Sequence, residues 1–231
     1  VLHGGRGVTT RADFRARLKG RRCYVGLDLS STKDLTAQVG VFPDDEGPGF
    51  DVLADFFVPH DNILERVTRD RVPYDQWVRD GFLHATPGNR VEYEYVRREL
   101  NAWALEFDVR EIAFDPWNAT DLVTRLSEQD GFTCVPIRQG YRSLSAPTKA
   151  LETAILARRL RHDGHPVLRW CIGNAAAEQD ATGNIKLSKR VSTERIDGAS
   201  ALVNAMDRMD RHGPGDTRPT YQMIVLGGTP A

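Results

Sequence analysis

Three aspartates interrupt apolar runs that would otherwise read as core. Asp28 stands in Val25-Gly26-Leu27-Asp28-Leu29, Asp115 directly follows Ile112-Ala113-Phe114, and Asp197 lies in Arg195-Ile196-Asp197-Gly198. Carboxylate oxygens are hard ligands that suit Mg2+ or Mn2+. Where strand ends and a helix bring several together, cations must offset their mutual repulsion. Two such cations roughly 3.5 to 4 Å apart clamp the attacking and leaving oxygens of a phosphodiester, so metal-assisted hydrolysis is the candidate chemistry. Each residue also has an ordinary use. Asp28 could close an Asx turn with Ser30 or Ser31, Asp115 before Pro116 could open a turn, and Asp197 could cap a helix.

The elements that must position these carboxylates are legible from periodicity. Cys23 to Leu29, Leu35 to Phe42 and Phe50 to Val58 read as three strands, with an acidic Pro/Gly turn between the last two, which predicts an antiparallel meander. Short helical pieces at Asp61 to Asp70 and Tyr74 to Asp80 precede a turn at Thr86 to Asn89. A stronger helix follows from about Glu92 to Phe107, with Tyr95, Leu100, Trp103 and Phe107 on one side. Then come a strand at Glu111 to Phe114, a helix capped by Asn118, a strand at Phe132 to Ile137 and a helix at Pro147 to His162. Gly183-Asn184 turns a late hairpin that ends near Lys189, and the last helix runs from about Ser192 to Arg211. Strands and helices in this order predict a mixed α/β sheet flanked by helices, with a late β-hairpin insertion.

Composition bounds the rest. The 231 residues are enough for one substantial core, 40% are hydrophobic and 27% charged, and no apolar run reaches the roughly 20 residues of a membrane span. Cys23, Cys134 and Cys171 lack CxxC spacing, so buried thiols are expected rather than a zinc site or disulfides. The net charge of -1 excludes a uniformly basic DNA-coating protein. Its distribution is uneven, because Arg138 to Arg195 holds eleven Lys or Arg against five Asp or Glu. That surplus suits either a phosphate-binding face or a solvated surface. Within it, Arg138, Arg142 and Lys149 flank a Gly-Tyr turn and are candidates for DNA-backbone contact. Lys186 and Lys189 should face opposite ways by strand alternation, and Lys189 is the one expected to reach the carboxylates and a phosphate. His162 and His165 read as a helix-ending loop rather than metal ligands, Trp77 and Trp103 as core, and Trp117 as a brace for Asp115 or a core anchor.

Three motifs in order, Val25 to Ser30, Phe114-Asp115-Pro116-Trp117-Asn118 and Arg195-Ile196-Asp197-Gly198 followed by Ala201, resemble the nuclease motifs of large terminase subunits from tailed double-stranded DNA phages. The resemblance covers about residues 22 to 210. It implies a ribonuclease H-like (retroviral-integrase-like) fold and a divalent-metal-dependent endonuclease that cleaves concatemeric phage DNA during genome packaging. Two Mg2+ or Mn2+ would be held by Asp28, Asp115 and Asp197, and Asp34 matches an accessory acidic position of some terminases. The implied partners are double-stranded DNA and, in a full-length protein, an N-terminal ATPase domain, the small terminase subunit and the portal protein. The implied location is the procapsid portal in the host cytoplasm, with no membrane. No GxxxxGK[ST] phosphate loop occurs, so the motor part of a terminase is missing.

The expected division is therefore a Gly- and Arg-rich linker from an upstream ATPase domain at 1–21, a nuclease domain at 22–212, and a tail at 213–231 in which Tyr221 to Leu226 could add an edge strand. The chain has no initiating Met and reads as part of a longer protein. Two other readings stay open on sequence. One is a non-catalytic module that docks DNA or the portal. The other takes Gly26 to Thr32 as the first phosphate loop of an actin- or sugar-kinase-like nucleotide-binding domain.

Overall fold

The computed structural model describes residues 10–30, 35–117 and 119–212. Strands β1 (Arg22–Asp28), β2 (Thr36–Pro43) and β3 (Phe50–Pro59) form the expected antiparallel meander, with Tyr24 opposite Val41 and Val39 opposite Ala54. β4 (His84–Thr86) lies parallel to the end of β3. After helices α2 (Ile63–Asp70), α3 (Tyr74–Arg79) and α4 (Tyr93–Glu106), the chain re-enters as β5 (Asp108–Phe114), parallel to β1. Helix α5 (Thr120–Glu128) leads to β6 (Cys134–Pro136), parallel to β5. Helix α6 (Tyr141–Leu156) leads to β7 (Leu160–His162), parallel to the start of β3. The main sheet thus has the order β4-β3-β2-β1-β5-β6 with β7 beside β3. Helix α7 (Pro166–Asn174), the hairpin β8 (Ala177–Gln179) and β9 (Ile185–Leu187), and helix α8 (Asp197–His212) complete the described chain.

Both faces of the sheet are covered, and strand alternation decides which side chain meets which layer. Cys23, Val25 and Leu27 of β1 and Ile112 and Phe114 of β5 join the core under α4 and α5, with Leu100, Trp103 and Leu122. Gly26 and Ala113 face the other way, toward α6, α7 and α8, where Leu144, Leu168, Ala201 and Leu202 pack on β2 and β3. Among the described residues no helix is long and apolar enough to cross a membrane.

Several expectations needed correction. The fold does not begin at Arg22, and residues 10–21 are not a linker. Thr10 caps a helix α1 (Arg11–Ala16), and Phe14 and Leu18 are buried in the core under α4. The arginines that made this stretch look solvated are ion-paired: Arg11 with Asp55 and Asp163, Arg15 with Glu106, Arg17 and Arg21 with Asp51. Helix α6 starts at Tyr141 rather than Pro147, because Leu144, Pro147, Leu151 and Ala154 form one buried face at helical spacing. His162 lies on β7 beyond its end. The loop expected around His165 is the start of α7, with Pro166 at its first position and the His165 ring accepting from the Leu168 amide. The last helix starts at Asp197, five residues later than read. The tail with Tyr221 to Leu226 lies outside the described residues.

Two stability predictions follow from this packing. A Cβ at Gly26 would stand 1.9 Å from the Ala201 carbonyl oxygen and 2.7 Å from the Ala205 amide nitrogen, both backbone atoms of α8. Gly26→Ala should therefore cost about 3 kcal/mol, the upper range for overpacking. Gly173→Ala, in α7 with nothing within 4 Å, should be neutral or stabilising. Urea-unfolding midpoints check the pair, and equal midpoints would contradict the close approach. The second concerns acid. Burial holds His165 at about 3, down from an ordinary 6.5, and also lowers His162. Both stay neutral in the fold while the unfolded chain takes up protons, so stability is full above pH 6.5 and falls as pH drops toward 3. The slope should be about 1.4 kcal/mol per pH unit from His165, with His162 adding to it in the same direction. His84, raised by its hydrogen bond to Asp55, acts oppositely, and its contribution is lost only as pH rises above 6.5. Urea midpoints that stay level from pH 6.5 to 4.5 would refute this.

Candidate active site

The convergence of the three aspartates has a geometric origin. Leu27 of β1 is in register with Phe114 of the parallel β5, so Asp28 and Asp115 leave the sheet side by side at the same end. Period-two alternation puts Asp28 with Gly26, and Asp115 with Ala113, on the face covered by α8. α8 touches β1 at Gly26 through Ala201. From that contact Asp28 lies two strand residues away, about 6.6 Å. Asp197 lies one helical turn before Ala201, about 6 Å along an axis whose start is at the same end. Gly198 lets the helix start sit this low, since a Cβ there would stand 2.8 Å from the Phe56 ring and 3.2 Å from Cys171 Cβ.

Lys189 completes the cluster. Its Nζ donates to Asp197 Oδ1 at 2.6 Å and to Asp28 at 3.1 to 3.3 Å. The Asp197 side chain is 1% exposed and that of Asp28 14%. Desolvation alone would lower the ammonium's pKa, but the charges of Asp28 and Asp197 outweigh it and raise the pKa well above its ordinary value. Asp197 Oδ2 also accepts from the Leu35 amide at 3.4 Å, and the start of α8 favours a negative charge there. Asp115 is less committed. Its Oδ1 accepts from the Trp117 amide at 3.0 Å. Among the described residues, no three His, Cys, Asp or Glu side chains close into a ligand cluster: Asp28 and Asp197 are joined through Lys189, and Asp115 stands one strand over. Oxygen-only donors are the kind that hard divalent cations take, and here the Lys189 ammonium lies between two of them.

The remaining candidates divide. Asp34 lies outside the described residues. Lys186 is in β9 with its ammonium 5.2 Å from the Tyr141 ring centre, and Lys149 donates to the Gly183 carbonyl at 3.0 Å. These two fasten the hairpin to α6. Lys189 follows β9 rather than belonging to it, so strand alternation was not what selected it. Arg138, just after β6, and Arg142, in the first turn of α6, are both exposed, and β6 is the strand beside the one that Asp115 follows. Trp117 is 78% exposed, so it is not a core anchor, whereas Trp103 is fully buried and donates to Asp55. Sequence reasoning missed Tyr93, whose hydroxyl pKa is raised by burial and by the charge of Asp28. It also missed Asn204, which donates to the Leu27 carbonyl at 3.1 Å. Asn204 carries a sequence signal, as a polar residue on the stripe of Ala201, Leu202 and Ala205. Of the phosphate-loop reading of Gly26 to Thr32, Gly26 lies within β1 with the α8 backbone over it, and Ser31 and Thr32 lie outside the described residues.

Residues 12–213 match the family described as terminase large subunit, endonuclease domain. The chain belongs to that family. It is 40% identical over 185 residues to the large terminase subunit of Enterobacteria phage HK97, covering 79% of this chain and 36% of that protein. The crystal structure of the HK97 large terminase superposes with a TM-score of 0.76 at 35% identity, over 87% of this chain and 43% of that one. The nuclease domain of the bacteriophage SPP1 large terminase, solved with bound Mn, shares the fold at a TM-score of 0.50 and 17% identity, covering 90% and 96% of the two chains. The mixed sheet flanked by helices is thus the ribonuclease H-like architecture of terminase nuclease domains. The chain spans less than half the length of the HK97 protein it matches.

The Lys189 geometry generates a stability prediction. Lys189→Met leaves Asp28 and the buried Asp197 facing each other without a cation. Breaking a buried pair costs about 3 to 5 kcal/mol, and the half-exposed ammonium reduces this to about 1 to 2 kcal/mol. The loss should appear as a lower urea midpoint in chelator, and Lys189→Arg should recover part of it. An unchanged midpoint for the Met variant would show that the contact contributes nothing.

Proposed function

We propose that this terminase domain is a divalent-metal-dependent endonuclease that cleaves concatemeric double-stranded phage DNA during genome packaging, with Asp28, Asp115 and Asp197 as its metal ligands. The observation that carries the reading is the placement of three carboxylates, from the ends of β1 and β5 and the start of α8, on one face at one end of the sheet, with Lys189 bridging two of them. Two Mg2+ or Mn2+ would supply Lewis acidity and an activated water for phosphodiester hydrolysis. Asp28 and Asp197 are held rigidly by strand and helix, which suits fixed ligands. Asp115 turns from the Trp117 amide to complete the set. Lys189, released from the carboxylates, is placed to hold a phosphate oxygen and offset developing charge. Arg138 and Arg142 bind backbone phosphates, which carry no sequence information, and cutting is sequence-tolerant.

The bound metal in the SPP1 nuclease domain and the family membership support this reading. In the whole protein, an upstream ATPase domain, the small terminase subunit and the portal would bring the site to DNA at the procapsid in the host cytoplasm. The test is cleavage of supercoiled plasmid with Mn2+. Wild type should nick and linearise it. Asp28→Asn, Asp115→Asn and Asp197→Asn should each lose more than about a hundredfold, the upper end of what losing an outer-shell partner costs. An inert wild type would reject the nuclease reading and favour a docking module, and undiminished cutting by any of the three folded variants would reject that aspartate as a ligand.

A further inference from the structure

Trp117 is the one tryptophan of the chain that the fold leaves in water. Trp103 is fully buried, and Trp77 and Trp170 pack against Tyr74 and each other. Trp117 is 78% exposed although an indole offers one of the largest apolar surfaces a side chain can bury. Its backbone is nonetheless tethered to the site. Pro116 precedes it, its amide donates to Asp115 Oδ1 at 3.0 Å, and Ala119 and Leu122 anchor the far side of the loop in the core. An exposed aromatic on a loop tethered to the sheet, two residues from a candidate metal ligand, is placed to meet a ligand of the site.

The neighbouring charges indicate what. β6 runs parallel to β5 with Phe114 opposite Pro136, and the Ile137 amide donates to the Phe114 carbonyl at 2.8 Å, so Arg138 leaves β6 at the end of the sheet from which Asp115 and Pro116 leave β5. Arg138 is exposed. The rim of the site therefore offers a guanidinium and a flat apolar ring beside Asp115, while a DNA strand offers phosphates alternating with flat nucleosides. Resting on the nuclease reading above, we propose that Trp117 is a positioning residue that lays its ring against the nucleoside next to the scissile phosphate, with Arg138 on a phosphate beside it. Such a contact tolerates any sequence, because in a duplex the ring meets the deoxyribose of that nucleoside, which carries no sequence information. It also sets where along the strand a phosphate comes to rest over the carboxylates.

The salt dependence of DNA binding separates this role from a charge contact. Binding of a labelled duplex is measured in chelator, where nothing is cut, over a range of salt concentrations. Trp117→Ala should weaken binding roughly 5- to 100-fold at every salt concentration without changing the slope of log K against log salt. Arg138→Ala should reduce that slope by about one. Trp117→Phe should retain most of the affinity. Wild-type tryptophan fluorescence should be quenched by DNA, and the quench should vanish in Trp117→Phe. In cleavage with Mn2+, Trp117→Ala should raise KM, while its urea midpoint stays that of wild type. Wild-type affinity and KM in the Ala variant, a slope change like that of Arg138→Ala, or a quench that survives in Trp117→Phe would each overturn the proposal. A wild type that neither binds nor cuts DNA would instead remove the nuclease reading on which it rests.

Discussion

The candidate site depends on one steric constraint, the backbone-to-backbone approach of α8 to β1 at Gly26. A helix normally packs on a sheet through interleaved side chains. Here the glycine has none to offer, and a methyl group in its place would overlap the Ala201 carbonyl. The helix is therefore lowered onto the strand at one defined point, and that point fixes the distance from Asp197 to Asp28. Gly198 and Ala201 serve the same end, the first by clearing Phe56 and Cys171, the second by keeping the contact residue small. The motif around Asp197 is thus a packing device as much as a chemical one.

Close packing has an electrostatic consequence. It buries Asp197 almost completely and Asp28 largely, and burying two like charges together is unfavourable without compensation. Lys189 supplies it, delivered from outside the main sheet by a hairpin that is itself fastened to α6. Ile185 donates its amide to Ser145, Lys149 holds the Gly183 carbonyl, and Lys186 lies over Tyr141. The lysines of the basic stretch consequently have different tasks. Two secure the hairpin, and one uses that security to reach the carboxylates.

Much of this was legible in the sequence, and the failures are instructive. The meander, the strand ending at Phe114 and the hairpin were readable because apolar alternation and a Gly-Asn turn are local signals. The three aspartates stood out because they broke such patterns. What local patterns could not reveal was pairing at long range. The segment from Thr10 to Arg21 read as a linker because four arginines and little apolar surface predict solvation, yet each arginine meets a carboxylate far along the chain, as Arg11 meets Asp55 and Asp163. The core-anchor reading of Trp117 failed for the converse reason. A tryptophan is expected in the core, and no spacing rule announces one kept out of it.

Rigidity is distributed unequally over the site, and the topology explains the inequality. Asp28 ends a central strand bonded on both sides, and Asp197 opens a 16-residue helix seated on that strand. Asp115 instead begins a connection, since β5 stops at Phe114 and α5 does not start until Thr120. Its carboxylate is tied to its own loop through the Trp117 amide, whereas Asp28 and Asp197 are tied to each other through Lys189. Two carboxylates fixed by the sheet and its helix, and a third on a short loop beside exposed Trp117 and Arg138, divide the site into a rigid base and an adaptable rim. The base belongs to the core and shares its stability. The rim can adjust to a ligand without disturbing the contact at Gly26 on which the base is built.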